Sequence, residues 1–164
     1  KRPEAVERFA KVILGEGPAG GGFSTRPLGV IEFIFLVAPM HPLAALPGPL
    51  KNADLVKHRV VSAADSSRSL PPRTSGLISG QDVLTVPDIQ SKIEAQRAAL
   101  GVGYLPRHLA RAEIEAGRLI PKTVEEPKPA MPVYLAWRTA HRGKALRWFL
   151  DHLDDAAVRD SLMN

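Results

Sequence analysis

At 164 residues the chain has room for one well-packed domain or two small interlocked lobes. Hydrophobic residues at 45% and charged residues at 24% are ordinary for a folded globular chain, and the absence of cysteine excludes disulfides, thiolate zinc sites and thiol nucleophiles. The formal net charge of +5 is scattered rather than gathered into a stripe and aromatic residues make up only 5%, which speaks against direct nucleic-acid contact by this segment.

The longest apolar run, Phe33 to Met40, falls far short of the roughly 20 residues that a membrane span requires. The start, KRPEAVERFAKVILGEG, lacks a long apolar core and a small-residue cleavage site, so no signal peptide is read there. A cytoplasmic location, with no membrane partner, is the expectation that goes with these features.

In chain order, residues 4 to 11 place Val6, Phe9 and Ala10 on one side at helical spacing, and Val12-Ile13-Leu14 reads as a buried strand. Gly15 to Gly22 holds five glycines and one proline and is expected to be a loop. Phe33 to Val37 is continuously apolar, the pattern of a central strand covered on both faces, and Pro39 and Pro42 stop it. LKNADLVK, residues 50 to 57, can make one or two helical turns before a strand at Val60-Val61 and a polar cluster from Ser62 to Arg68.

Val83 to Val86 reads as the next strand. A helix follows, with Pro87 at its first position, Ile89, Ile93, Ala98 and Leu100 along it, and Gly101 as its stop. Val102 to Leu105 is a short strand, Arg107 to Ala116 a helix stopped by Gly117, and Leu119-Ile120 an edge element. Val133 to Trp137 is a strand, and Lys144 to Leu153 a helix with Leu146, Phe149, Leu150 and Leu153 on one face. Strands alternating with helices predict an α/β fold with mostly parallel pairing.

Several patterns invite a chemical reading. Gly15-Glu16-Gly17-Pro18-Ala19-Gly20 matches G-x-G-x-x-G, but Gly21, Gly22 and Pro27 follow where a dinucleotide fold needs a helix, so a surface loop is expected. Asp65-Ser66-Ser67-Arg68 follows a strand, where hydroxyls and unpaired N–H groups either cap a helix or meet a ligand at the carboxyl end of a sheet. Thr85 and Val86 sit at the second such junction, as a hydroxyl and an apolar wall for a small molecule or as sheet and core. Arg26 could meet a carboxylate or simply be solvated.

No G-x-S-x-G elbow accompanies Ser66 or Ser67, and His41 and His58 lie in unrelated contexts, so no catalytic group is assigned. Histidines 41, 58, 108, 141 and 152 show no metal spacing, so neither a metal site nor a cofactor is expected. Trp137 and Trp148 are expected in the core.

The His-Pro-Leu-Ala of residues 41 to 44, the Asp-Ser-Ser-Arg of 65 to 68 and the Gly-Val-Gly-Tyr-Leu-Pro of 101 to 106, in this order of elements, resemble the effector-binding domain of LysR-type bacterial transcriptional regulators. That resemblance implies two Rossmann-like lobes joined by crossover strands, a fold shared with periplasmic binding proteins. Residues 1–38 would be part of the first lobe, with Phe33 to Val37 as the first crossover. Residues 39–106 would form the second lobe, and residues 107–164 the return to the first with the C-terminal helix.

It further implies a small-molecule effector, aromatic or carboxylate, bound between the lobes by Ser66, Ser67, Thr85 and Val86, with Thr25 as a weaker candidate. DNA would be reached only through an N-terminal helix-turn-helix domain not included in these residues, in a homodimer or homotetramer. The opening strand and helix of the first lobe are expected to lie before Lys1. The rivals are a solute-binding protein of the same fold and an enzyme with a serine-based site.

Overall fold

The computed structural model describes residues 10–14, 22–64, 78–140, 143–155 and 157–159. The strands are β1 (Ala10–Leu14), β2 (Phe23–Ile31), β3 (Phe33–Val37), β4 (Val60–Ala63), β5 (Val83–Val86), β6 (Gly103–Pro106), β7 (Ile120–Pro121) and β8 (Met131–Arg138). The α-helices are α1 (Asn52–Leu55), α2 (Ile89–Arg97), α3 (Arg107–Glu115) and α4 (Lys144–His152), with a 3-10 turn at Pro42–Ala44. Contacts divide the chain into unit 1, Lys1–Glu32 with Ala130–Asn164, and unit 2, Phe33–Pro129. The boundaries expected from the sequence, 38/39 and 106/107, both fall inside unit 2.

In unit 1, β8 lies between β1 and β2 and pairs antiparallel with each. The amphipathic α4 covers one face: Leu146 and Leu153 pack with Leu135 of β8, and Leu28, Trp137, Phe149 and Leu150 close the edges. This is the apolar face expected of residues 144 to 153. Val12, expected to be buried, is 63% exposed, because β1 is an edge strand.

Unit 2 is a mixed sheet. β3 pairs antiparallel with β6 and β7. β4 pairs parallel with β5, and an isolated parallel bridge between Val60 and Val102 aligns β4 with the start of β6. The predominance of parallel pairing expected from element alternation is therefore corrected. β3 and β8 run against their neighbours, and antiparallel partners need no local helix crossover between them.

β3 explains its own composition. Phe35 and Val37 join Leu43, Leu50, Leu55, Val102 and Val124 on one face, while Leu36 and Ala38 join Ile93, Leu105, Ala110 and Leu119 on the other. A strand buried on both faces reads as a continuous apolar run. Its five residues are thus the central strand covered on both faces that their composition predicts, in the middle of the β6-β3-β7 sheet, where the resemblance implies a crossover.

The ends of two helices show how differently one motif can be built. After α3, Gly117 takes φ 67°, its N–H donating to Ile114 O and that of Arg118 to Glu113 O, both at 2.9 Å. After α2 the same pair of bonds runs from Ala99 to Gln96 and from Leu100 to Ala95, both at 3.0 Å, with Ala99 at φ 56°. This is the Schellman closure, which ordinarily selects glycine for its left-handed residue. The stop expected at Gly101 is therefore corrected to Ala99. Gly101 serves packing instead, since a Cβ there would stand 2.8 Å from Arg59 O and 2.9 Å from Val61 Cγ2.

Candidate functional site

The parallel pair β4 and β5 ends with Ser62 opposite Thr85 and Ala63 opposite Val86, and Ala64 N–H adds one more bond to Val86 O at 2.7 Å. The carboxyl end of parallel strands is where open α/β sheets collect ligands, because backbone groups there outrun the ladder. Thr85 is exposed and Val86 half-buried, and among the described residues the Thr85 hydroxyl makes no hydrogen bond. Ser66 and Ser67 lie outside the described residues, as does the glycine-rich segment 15–20. Thr25 is exposed on β2 in unit 1, opposite Ala136.

The helix after β5 begins two residues later than expected, at Ile89 where Pro87 is read as the first helical position. Asp88 is its N-cap, and the Asp88 carboxylate accepts from Ser91 N–H at 2.7 Å. That bond holds the Asp88 carboxyl below its ordinary pKa, as hydrogen bonds to a charged form do. Lys92 follows in the first turn, where burial, with repulsion from Lys128, pulls its pKa down to about 8.

The three segments that carry the family likeness have legible roles where they are described. His41 caps the 3-10 turn, its Nδ1 accepting from Leu43 N–H at 3.2 Å, with Pro42 in the first turn and Leu43 buried. Gly103 passes close to Val61 O and the Gln96 amide, and Gln96 Nε2 donates to Gly103 O at 2.9 Å. Among the described residues Gln96 Oε1 is buried without a hydrogen-bond partner.

His41 and His58, placed in unrelated contexts by the sequence, stand with ring centroids 4.9 Å apart, edge to face. Burial first, then the neighbouring His58, lowers the His41 pKa. Among the described residues no three His, Cys, Asp or Glu side chains gather as a metal site.

Two other sites prove structural. Arg26 Nη1 donates to Leu150 O at 2.6 Å and to Asp154 Oδ1 at 2.8 Å, fastening the end of α4 to the unit 1 sheet, so it meets a carboxylate of its own chain. Glu113 is buried between two guanidinium groups. Arg97 grips it through Nε and Nη2, both at 2.6 Å, and Arg118 at 2.9 and 3.0 Å. Hydrogen bonds from Arg97 and then Arg118 hold the Glu113 carboxyl down at about 2, tying the end of α2 to α3. Trp137 packs in the unit 1 core, whereas Trp148 is 64% exposed and stacks on His152 with centroids 4.9 Å apart, against the expectation of a core position.

Two α/β units, the second inserted into the first, each with a central strand that reverses the local direction, define a ligand-binding fold of the periplasmic-binding-protein type. Residues 11–158 match the family model of the LysR substrate binding domain, and the chain belongs to that family. It is 34% identical over 134 residues to the HTH-type transcriptional activator AllS of Salmonella typhimurium, covering 82% of this chain and 44% of that protein.

The regulatory domain of NMB2055 (MetR), a LysR family regulator from N. meningitidis, superposes with a TM-score of 0.71 at 18% identity, covering 97% of this chain and 74% of that one. Full-length LysG of Corynebacterium glutamicum with bound effector Arg gives 0.65 at 24% identity, covering 92% of this chain and 51% of that one. The chain thus spans less than half of the curated relative. Among the described residues no helix is long and apolar enough to cross a membrane.

Proposed function

We propose that this chain is the effector-sensing part of a LysR-type transcription regulator. It binds a small metabolite, aromatic or carboxylate, and acts in the cytoplasm without catalysing a reaction on its ligand. Membership of the LysR substrate-binding family carries the reading, and the exposed, uncommitted Thr85 hydroxyl at the carboxyl end of the β4–β5 pair is the feature of this chain that supports it. Ser66, Ser67 and Val86 complete the ligand-facing set, and Thr25 is a weaker candidate. The relative AllS is named a transcriptional activator and LysG carries a bound effector. In the intact protein a helix-turn-helix domain N-terminal to these residues contacts DNA, and the assembly is a homodimer or homotetramer.

A ligand that binds the folded state alone stabilises it by mass action, by about 2.7 kcal/mol at a hundredfold excess over Kd. Thermal denaturation against a panel of small metabolites is therefore the test. A saturable rise in Tm that weakens in Ser66→Ala and Thr85→Val supports the assignment. A rise that both variants leave unchanged rejects these residues, and turnover of a ligand lost in Ser66→Ala would favour the enzyme instead. Reading the parent gene upstream of Lys1 separates the regulator from the solute-binding rival: a helix-turn-helix supports the first, a cleavable apolar leader the second.

A further inference from the structure

Two stretches of chain lead out of unit 2, one before Phe33 and one after Pro129. The second is reached through residues 126–130, Glu-Pro-Lys-Pro-Ala. Glu125 N–H still donates to Leu50 O at 2.9 Å, but residues 126–130 belong to no strand or helix, and all are exposed except the half-buried Lys128. Glu126 and Lys128 each precede a proline, which disfavours helical backbone and keeps the run extended. The direction of so stiff a segment is set by the few bonds that anchor it.

The Tyr104 hydroxyl accepts from Lys128 N–H at 3.2 Å and donates to Glu126 O at 3.4 Å, bracketing Pro127. Lys128 Nζ lies 4.1 Å from the centre of the Phe33 ring, a cation–π contact that strengthens where water is partly excluded. Phe33 is the first residue of unit 2 on the other connection. One lysine therefore meets both: its main chain is bonded to Tyr104, and its side chain lies on the residue that opens unit 2.

These anchors share one support. Phe33 and Phe35 alternate onto one face of β3, and Tyr104 stands opposite Phe35 on β6, the two rings edge to face with centroids 5.1 Å apart. Phe35 is buried, and Tyr104 packs against the same apolar cluster. Both exits of the chain are thus fastened to one aromatic row backed by the core of unit 2.

We propose that Tyr104, Lys128 and Phe33 form a clasp that gathers the two chain connections of unit 2 into a single stem, so that bending takes place beyond it, at Glu32 and at Ala130. Glu32 falls between β2 and β3, and Ala130 just before β8, at element ends of the kind that absorb hinge rotation. The clasp lies wholly within unit 2 and does not depend on the effector-binding reading.

The test is digestion of the native 164-residue chain by a glutamate-specific protease, with Tm measured alongside. Cleavage after Glu32 reads one connection and cleavage after Glu125 the other. When opening is fast, cleavage follows the population of the locally opened state. Tyr104→Phe removes the hydroxyl and keeps the ring, and Lys128→Met removes the charge and keeps an unbranched side chain. Each is expected to speed cleavage at both sites by about fivefold, as the loss of one net interaction implies, with the double variant no faster than the faster single.

A variant that opens only the connection it touches directly overturns the clasp. So do fold-changes that multiply in the double variant, unchanged cleavage in both single variants, or acceleration that merely follows a fall in Tm. Lys128→Gln replaces Lys128→Met should that variant fail to fold. If Tyr104→Phe does not fold, the Lys128 variants decide the matter by whether cleavage after both Glu32 and Glu125 accelerates.

Discussion

Among the described residues, unit 2 buries its central strand on two faces, and unit 1 covers its sheet with one helix. In unit 2, β3 is flanked by two separate apolar clusters that share its alternate residues. In unit 1 a single cluster joins α4 to one face of the sheet, while Val12, Phe23 and Val30 remain more than half exposed. The contrast locates the stability of the chain in the inserted unit. A strand covered twice removes roughly twice the apolar area per residue from water, at about 25 cal/mol per Å².

The largest way to break the contrast is Leu36→Ala. Leu36 is fully buried in the middle of β3, and the substitution should cost about 3–5 kcal/mol, read as a lower denaturant midpoint at unchanged slope. Leu146→Ala, in the thinner unit 1 core, should cost less.

Next is Glu113. A carboxyl whose folded pKa lies at about 2, against an ordinary 4.5, contributes stability that is fully present above pH 4.5 and lost as pH falls toward 2. The expected loss is about 3 kcal/mol. Glu113→Gln should remove a comparable amount at pH 7 and flatten the acid limb of a stability profile measured between pH 6 and 2.

Gly101→Ala comes third. Its new methyl would collide with the Arg59 carbonyl and the Val61 side chain, and unfolding should become easier by about 1–3 kcal/mol. Ala99→Gly has the opposite sign. Relieving a left-handed alanine should add about 0.5–1 kcal/mol, visible as a small rise in Tm. Smallest is Arg26→Ala in unit 1. Its pair with Asp154 is partly solvent-exposed, so calorimetry should find a loss of about 0–1 kcal/mol.

How much of this was legible in the sequence depended on the kind of signal. The apolar run at 33–37, the alternation in 83–86 and the amphipathic 144–153 were readable because periodicity reports which faces are covered. Pairing direction was not, because β8 finds β1 and β2 across the whole inserted unit, and no local pattern encodes a partner that distant. The α2 stop was misplaced because Ala99 does a glycine's work and the nearest glycine, Gly101, is needed for close packing.

The candidate site was legible in part. Thr85 and Val86 are candidates by the rule that ligands gather at carboxyl ends of strands, and the register of β5 puts both at its carboxyl end. The lowered pKa of Lys92 was not legible, because its burial and its neighbour Lys128 belong to tertiary structure. The same holds for His41 and His58, seventeen positions apart in the chain, whose rings meet only once α1 has turned back.

The central claim is that the carboxyl end of the unit 2 sheet receives a small effector. Backbone amide shifts of the isotopically labelled chain, followed by NMR as a stabilising metabolite is titrated in, test it most directly. The account predicts saturable shifts concentrated at Ser62 to Ala64 and Thr85 to Ser91. Saturable shifts confined to the opposite end of that sheet, around Asn52 to His58 and Gly101, would contradict it.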